Sequence, residues 1–432
     1  MKKAILCFPY VPSRQLQYPT GIFKIASFCK DFYDIIVLDQ RIELNIINTI
    51  SELLAKNNDI ICLGISVMTG EQIKHAIDIS QVFHSHLPIV WGGMHPTILP
   101  RQTLESGFMD YIVIGEGEEA FLNLLNYLAD KHVNGEMFLS KHNRNFKYNY
   151  LADLNSAGYV DFSAYRIRED YFVKRDGFKR AFTLETSRGC PYNCYYCHNS
   201  IYKKPYRGMS PDKVLELINT LKRDYSIDGV VFQEDNFFAH LNRAKKIIHG
   251  LANVTDVGWK TNSRINYFYG LINDTKFMES LLESGCKVIQ FGIESGSLRI
   301  IKEINKKIDI DKVIEVNKKL SEYPLSIRYN FIIGFPGETR DDINDTLNLI
   351  DTLQSDNHHV EPPFINIYNP YPGTRLYEKA LKYGFEEPQN IEGWSKMNWN
   401  IACLNFLTPD TRTYIEKIST DYFMKSRYLR TE

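Results

Sequence analysis

Short apolar runs alternate along the chain with longer stretches in which apolar residues recur every three or four positions. An apolar run of four to eight residues between polar or glycine-rich segments predicts a buried strand, and the longer period predicts a helix packed on one face. In the first third the pattern predicts strands over 3–8, 33–38, 60–66, 89–91 and 111–114, and helices over 21–30, 47–56, 71–83 and 119–128. Strands with no alternating polar face predict a parallel sheet covered on both sides. From residue 180 the alternation restarts. It predicts strands over 182–185, 229–232, 258–264, 287–293, 327–333 and 363–368, and helices over 211–223, 243–251, 275–283, 312–320 and 340–353. The first of these helices has Ser210 as its cap, Pro211 at its first position, and Val214, Leu217, Ile218 and Leu221 in one stripe. Residues 131–179 show no clear period but are rich in tyrosine and phenylalanine, which predicts an ordered strap, not a free linker. A last helix is predicted over 409–428, capped by Thr408.

Parallel sheets bind ligands beyond the carboxyl ends of their strands, so the residues there carry the chemistry. In the first third these are Ser66-Val67-Met68, Gly92-Gly93 and Gly115-Glu116. In the second set they are Glu234-Asp235, Arg264, Glu294, and Ile332 with Gly334. The first strand of the second set leads into Cys190, Cys194 and Cys197, spaced CxxxCxxC, with Gly189 and Pro191 favouring a tight loop. Three thiolates on one loop converge on a soft metal centre, an iron–sulfur cluster or zinc. A stable zinc site needs four ligands, and His198, next to Cys197, is strained as a fourth.

The 432 residues, 44 % hydrophobic and 24 % charged, suit a globular protein of two or three domains. A net charge of -1 gives no basic field for nucleic acid, and no apolar run has the length of a membrane span. Residues 1–9 read as a first strand, not as a signal peptide. Eight cysteines, scattered apart from the central three, form no disulfide framework and fit a reducing, cytoplasmic setting. Cys7, Cys29, Cys62, Cys286 and Cys403 read as small buried hydrophobes.

The cysteine loop, with Tyr196 just before the third cysteine, resembles the cluster loop of the radical S-adenosylmethionine (SAM) superfamily. Residues 180–385 resemble its six-stranded partial barrel, and Phe291-Gly-Ile-Glu-Ser-Gly-Ser297 resembles the family's fourth-strand motif. Residues 1–130 resemble the cobalamin-binding domain, which carries Ser-x-Leu after one strand and Gly-Gly after a later one; here Met68 replaces the leucine. The resemblance implies an α/β chain, an N-terminal open parallel Rossmann-like cobalamin-binding sheet followed by a partial (β/α)6 radical SAM barrel. Its expected divisions are a cobalamin-binding domain 1–130, a strap 131–179, the barrel 180–385 and a C-terminal helical segment 386–432. Many cobalamin proteins carry Asp-x-His-x-x-Gly after the first strand, but the loop from Cys7 to Gly21 has no histidine. That leaves the lower cobalt face to water, to another side chain or to nothing. His95 and His75 are candidate neighbours of the corrin, with an ordinary loop or helix-surface histidine as the favoured reading of each.

The same resemblance implies three cofactors: a 4Fe-4S cluster on Cys190, Cys194 and Cys197, SAM on its open iron, and cobalamin. Glu234 or Asp235 is expected to pair with the SAM amino group, Arg264 with its carboxylate, and Glu294 with the ribose. Tyr196, Ile332 and Gly334 are expected around the adenine, and Ser66, Met68, Gly92, Gly93, Gly115 and Glu116 around cobalamin. The implied activity is that of a cobalamin-dependent radical SAM methyltransferase, which abstracts hydrogen from an unactivated carbon and transfers a methyl group to it. A radical oxidation, cyclisation or rearrangement is the alternative, and a zinc-binding module the alternative of another class. The implied partners are a small-molecule substrate and an external one-electron reductant of flavodoxin or ferredoxin type, with no nucleic acid and no membrane span.

Overall fold

Runs of isoleucine, valine and leucine with no polar face build two six-stranded sheets. The structure, a computed structural model, describes residues 1–12, 16–155, 159–165, 167–202, 205–254, 256–397 and 405–428. Cys403 and Trp399 lie outside the described residues. The chain divides into two compact units, Met1–Phe172 with Pro388–Ile401, and Val173–Glu387 with Ala402–Glu432.

The first unit holds strands β1 (Lys3–Phe8), β2 (Asp34–Asp39), β3 (Ile60–Ser66), β4 (Ile89–Gly92), β5 (Tyr111–Ile112) and β6 (Leu139–Ser140). Their order is β2-β1-β3-β4-β5-β6, and every pairing is parallel except that of β6 with β5. The direction of winding reverses between β1 and β3, which opens a crevice beyond Phe8 and Ser66. β5 is shorter than its apolar run because the chain turns at Gly115 (φ +84), where a Cβ would lie 2.3 Å from the Asn149 carbonyl. The aromatic strap is ordered: Tyr171 packs 5.2 Å from Tyr18, and its hydroxyl donates to Asp39 at 2.9 Å. Residues 388–397 return to this unit, with Trp394 buried 6.3 Å from His95.

In the second unit β7 (Ala181–Leu184) is followed by a small hairpin, β8 (Ser187–Arg188) with β9 (Arg207–Gly208). Then come β10 (Gly229–Phe232), β11 (Gly258–Ser263), β12 (Cys286–Glu294), β13 (Ser326–Ile333) and β14 (Phe364–Ile367). They form a parallel sheet in the order β14-β13-β12-β11-β10-β7. A parallel sheet in near-sequential order with its helices on one face is a partial barrel. Trp259 and Tyr329 bond outward to Ser284 and Asn317, so their neighbours Lys260 and Arg328 point into the concave side. There Asp176, on the segment before β7, accepts from Lys260 and Arg328, each at 2.5 Å. Phe178 of that segment packs where Gly229 and Gly258 leave no room for a Cβ. The amino-terminal end of the barrel is thereby closed by a buried ion cluster, and the residues singled out from the sequence lie at the carboxyl end.

Cys7, Cys29, Cys62 and Cys286 are buried free thiols, as their apolar surroundings predict. Among the described residues no helix is long and apolar enough to cross a membrane.

Candidate functional site

The β8–β9 hairpin closes the base of the excursion that carries the three cysteines. Glu234, just past β10, fixes that base. Its carboxylate accepts the Thr186 amide at 3.1 Å and the hydroxyls of Thr186 and Ser187. Arg243 lies 3.8 Å from the same carboxylate and donates to the Thr186 carbonyl at 2.9 Å. Asp235 is exposed and accepts the amide of Gly189, which turns into the loop at φ +86. Glu234 therefore faces inward on the loop base, and Asp235 faces the thiols.

Cys194 is buried, Cys190 and Cys197 are half-buried, and none forms a disulfide. Burial pushes the Cys197 thiol up to about 12, with the neighbouring Cys194 and Cys190 adding to the rise. Among the described residues no three His, Cys, Asp or Glu side chains are placed to hold a metal ion.

Arg264 is buried and turned toward this loop. Its guanidinium donates to the Cys194 sulfur at 3.1 Å and to the Lys306 carbonyl, and lies 3.8 Å over the Tyr192 ring. Those partners clamp the loop. The Tyr195 amide donates to the Ile304 carbonyl at 3.0 Å, and the Asn305 side chain to the Asn193 carbonyl at 2.6 Å.

Glu294 ends β12 with φ +76, after a register slip between Gly292 and Glu294. Positive φ strains a non-glycine residue, so the surroundings must hold it there. Its carboxylate accepts the Tyr196 hydroxyl at 2.9 Å and the Lys306 ammonium at 2.6 Å, and the ammonium lies 3.3 Å from that hydroxyl. Burial and the Glu294 charge push the Tyr196 phenol well above its usual range. Sequence reasoning missed Lys306, since one lysine in Asn305-Lys306-Lys307 looks like any surface lysine. Its only signal was position, in the turn after the helix that follows Glu294.

β13 ends at Ile332 and Ile333, and Gly334 (φ +87) turns the chain. The amides of Gly334 and Phe335 both donate to the buried Glu338 carboxyl. Burial pushes that carboxyl up to about 8 against the pull of the two amides. The Phe335 ring lies 6.0 Å from that of Tyr196. Cys194, Tyr196, Arg264 and Glu294 are thus joined in one bonded network with Lys306, and the Gly334 turn adjoins it through Phe335.

In the first unit the β1–β3 crevice is bridged by the buried Gln72. It donates to the Pro9 carbonyl at 3.0 Å and accepts the Met68 amide at 2.7 Å. Gly93 (φ +97) lies against β3: a Cβ would meet the Val67 backbone at 2.9 Å and the Ser66 hydroxyl at 3.2 Å. The Val67 amide donates to the Gly92 carbonyl at 2.8 Å, and Met68 is 44 % exposed at the crevice mouth. Ser66, Met68, Gly92 and Gly93 are thus brought together. Gly115 joins this group through Thr97, whose hydroxyl accepts the Gly115 amide at 2.9 Å and donates to the Gly93 carbonyl at 2.6 Å, while Asn149 covers Gly115 and Glu116 accepts the Leu151 amide at 2.9 Å. The stretch after Gly93, read as a loop, is a short helix, Met94–Ile98. It buries His95, 3.1 Å from the Thr69 hydroxyl, and burial lowers the imidazole to about 4. His95 is a core residue, and His75 is half-buried beside Tyr10.

The chain matches the Radical SAM superfamily over residues 184–350 and the B12 binding domain over residues 11–125. It is 27 % identical over 418 residues to the uncharacterized methyltransferase PH0819 of Pyrococcus horikoshii, covering 95 % of this chain and 89 % of that protein. It superposes with a TM-score of 0.67 and 19 % identity on the cobalamin-dependent S-adenosylmethionine radical enzyme OxsB with aqua-cobalamin and S-adenosylmethionine bound. The match covers 81 % of this chain but 52 % of OxsB, so the chain spans about half the length of that protein. It also superposes on the radical S-adenosylmethionine methyltransferase TsrM from Kitasatospora setae with cobalamin and a 4Fe-4S cluster bound. That match has a TM-score of 0.69 and 14 % identity, over 89 % of this chain and 76 % of TsrM. At these identities the likeness to both structures is one of fold.

Proposed function

For this chain, a member of the radical SAM superfamily that also carries a B12 binding domain, we propose cobalamin-dependent methyl transfer to an unactivated carbon of a small molecule. The observation that carries the reading is the presence in one chain of the Cys194–Arg264–Lys306–Glu294–Tyr196 network and of the Gly93 cradle beside Ser66 at the carboxyl ends of β3 and β4. When bound, the cluster with SAM supplies hydrogen-abstracting radical chemistry, and cobalamin supplies the methyl group.

The residues fit the three groups. Cys190, Cys194 and Cys197 hold the cluster, and Arg264 positions their loop. The SAM carboxylate falls to the two cations beside the loop, the Lys306 ammonium, which bridges Glu294 and Tyr196, and the Arg264 guanidinium, which donates to Cys194 and the Lys306 carbonyl. Asp235, exposed beside the thiols, takes the SAM amino group, while Glu234 holds the loop base. Glu294, oriented by Tyr196, accepts the ribose hydroxyls, and Ile332 and Gly334 line the adenine. Ser66, Met68, Gly92 and Gly93 receive the cobalamin tail, with Gly115 and Glu116 supporting the adjacent loop. The Cys7–Gly21 loop would offer a bound cobalamin no histidine ligand. We assign the cobalamin domain to residues 1–130, the strap to 131–179, the barrel to 180–385 and the tail to 386–432, in a reducing cytoplasm.

Anaerobic reconstitution with iron, sulfide, SAM and cobalamin tests the reading, with an extract as the source of substrate. The expected result is a product heavier by one methylene, with S-adenosylhomocysteine and 5′-deoxyadenosine formed together. If 5′-deoxyadenosine appears without S-adenosylhomocysteine while cobalamin is bound, the methyl-transfer reading fails and a radical rearrangement or oxidation replaces it.

A further inference from the structure

The cysteine loop has an outer side as well as a site side. Two short helices roof the outer side, Leu298–Glu303 and Arg375–Lys382. The Tyr195 carbonyl accepts the Leu376 amide at 3.1 Å, and its hydroxyl accepts from Arg375 at 2.8 Å, with that guanidinium 4.7 Å over the ring. From the other helix, the turn at Ile304 and Asn305 bonds Tyr195 and Asn193. Asn193 and Tyr195 flank Cys194, so this roof stands one layer of backbone from a cluster ligand. The two helices are joined by Lys379 and Glu303 at 2.5 Å, and Arg299 also reaches Glu303 at 3.0 Å.

The outward face of the roof is basic. Lys302, Lys307, Arg375 and Lys382 are exposed, and among the described residues none of them is ion-paired to a carboxylate. Glu303 is already shared by Arg299 and Lys379, and Glu378 is the other acid on these two helices. The chain as a whole carries a net charge of -1, so this concentration of positive charge is local. Within it lie two exposed apolar side chains, Leu298 at 70 % and Tyr383 at 50 %. Tyr383 lies against Gly337, whose carbonyl accepts from Arg299, the residue after Leu298. Unpaired cations around a small apolar centre suit a weak, fast, electrostatically steered encounter better than a permanent complex.

We propose that this face docks a small, acidic one-electron carrier protein of the flavodoxin class, which reduces the cluster through the Asn193–Tyr195 backbone. The proposal rests on the reading above that Cys190, Cys194 and Cys197 hold a redox cluster. One electron leaves the reduced flavin of the carrier and enters the cluster, whose charge becomes one unit more negative. No bond is formed or broken in the step.

The test uses the full chain with its cluster reconstituted anaerobically, and follows the loss of cluster absorbance. The triple variant Lys302→Glu, Lys307→Glu, Lys382→Glu replaces no residue assigned to the site. With reduced flavodoxin at low ionic strength its cluster should be reduced about ten-fold or more slowly than in the unaltered chain. The gap should narrow as salt rises. With photoreduced deazariboflavin, a small reductant without net charge, the two proteins should be reduced at the same rate. The milder Lys302→Gln, Lys307→Gln, Lys382→Gln variant should fall between them with flavodoxin. Equal flavodoxin rates in all three proteins would overturn the docking face, as would losses of the same size with both reductants. The readout needs no substrate, so failure of methyl transfer leaves it intact, whereas a chain that takes up no cluster would overturn both claims.

Discussion

At the scale of single residues the site depends on a buried charge that has one strong partner. Lys306 faces Glu294 at 2.6 Å, and both are buried. Removing one member of a buried pair leaves the other uncompensated, at a cost of about 3–5 kcal/mol. Lys306→Met should therefore lower the melting temperature and weaken SAM binding, measured by calorimetry on the reconstituted protein. Lys306→Arg should recover part of both. Tyr196→Phe removes one hydrogen bond to a charged group, worth roughly 1.5–3 kcal/mol. It should raise the KM for SAM while the iron content stays unchanged. His95 gives a pH dependence. Burial lowers it to about 4, while an unfolded histidine titrates near 6.5. Below pH 6.5 the unfolded chain binds a proton that the folded chain does not, so stability falls as the pH drops from about 6.5 to about 4 and changes no further below that. The loss amounts to roughly 3 kcal/mol. His95→Asn, which keeps an acceptor for Thr69, should flatten that slope in pH-dependent thermal unfolding of the first unit. The cysteines and Glu294 were legible in the sequence because their signals are local. The partners of Arg264 were not, since they depend on where a carbonyl 42 residues later comes to lie.

At the scale of elements, the long strands were legible to within a residue or two, because each is an apolar run that only a covered sheet can bury. The short helices were not: four to six residues are too few to show a period, as with Met94–Ile98 and Leu298–Glu303. The segment before β7 was legible only as aromatic and ordered. Its work is electrostatic. Burial by itself would raise Asp176, but the bonds and charges of Arg328 and Lys260 outweigh it and hold the carboxyl well below the usual carboxylate range. Burial and Arg175 in turn pull Lys260 down to about 8. A carboxyl depressed on folding contributes stability that is present above its unfolded pKa, near 3.9, and lost as the pH falls below it. Asp176→Asn should cost about 3–5 kcal/mol at neutral pH, because Lys260 and Arg328 lose a buried counter-charge. The difference between the variant and the unaltered chain should shrink as the solution is acidified below pH 4. A flat difference across that range would remove Asp176 as the keystone of the barrel end.

At the scale of the whole molecule, the chain places its two cofactor chemistries on two units with separate cores. The strand pattern stops and restarts around residue 180, and the compact units divide at Phe172 and Val173. The return of residues 388–397 to the first unit was not legible, because nothing local says that Trp394 will be buried beside His95. Separate cores imply that one cofactor can be lost without the other. Gly93 is the sharpest place to separate them: its φ of +97 and a would-be Cβ 2.9 Å from the Val67 backbone leave no room for a side chain. Gly93→Val should abolish cobalamin retention, seen as loss of the corrin absorbance after gel filtration. Ser66→Tyr should do the same by filling the slot without forcing the backbone. In both variants the iron content, SAM binding and reductive cleavage of SAM to 5′-deoxyadenosine should persist, while S-adenosylhomocysteine and the methylated product disappear. Full cobalamin retention in both would dismiss the cradle, and loss of SAM cleavage in step with cobalamin would show that the two units do not load independently. The expected pattern, a radical made and no methyl delivered, would locate each half of the chemistry on the unit whose strand ends carry its residues.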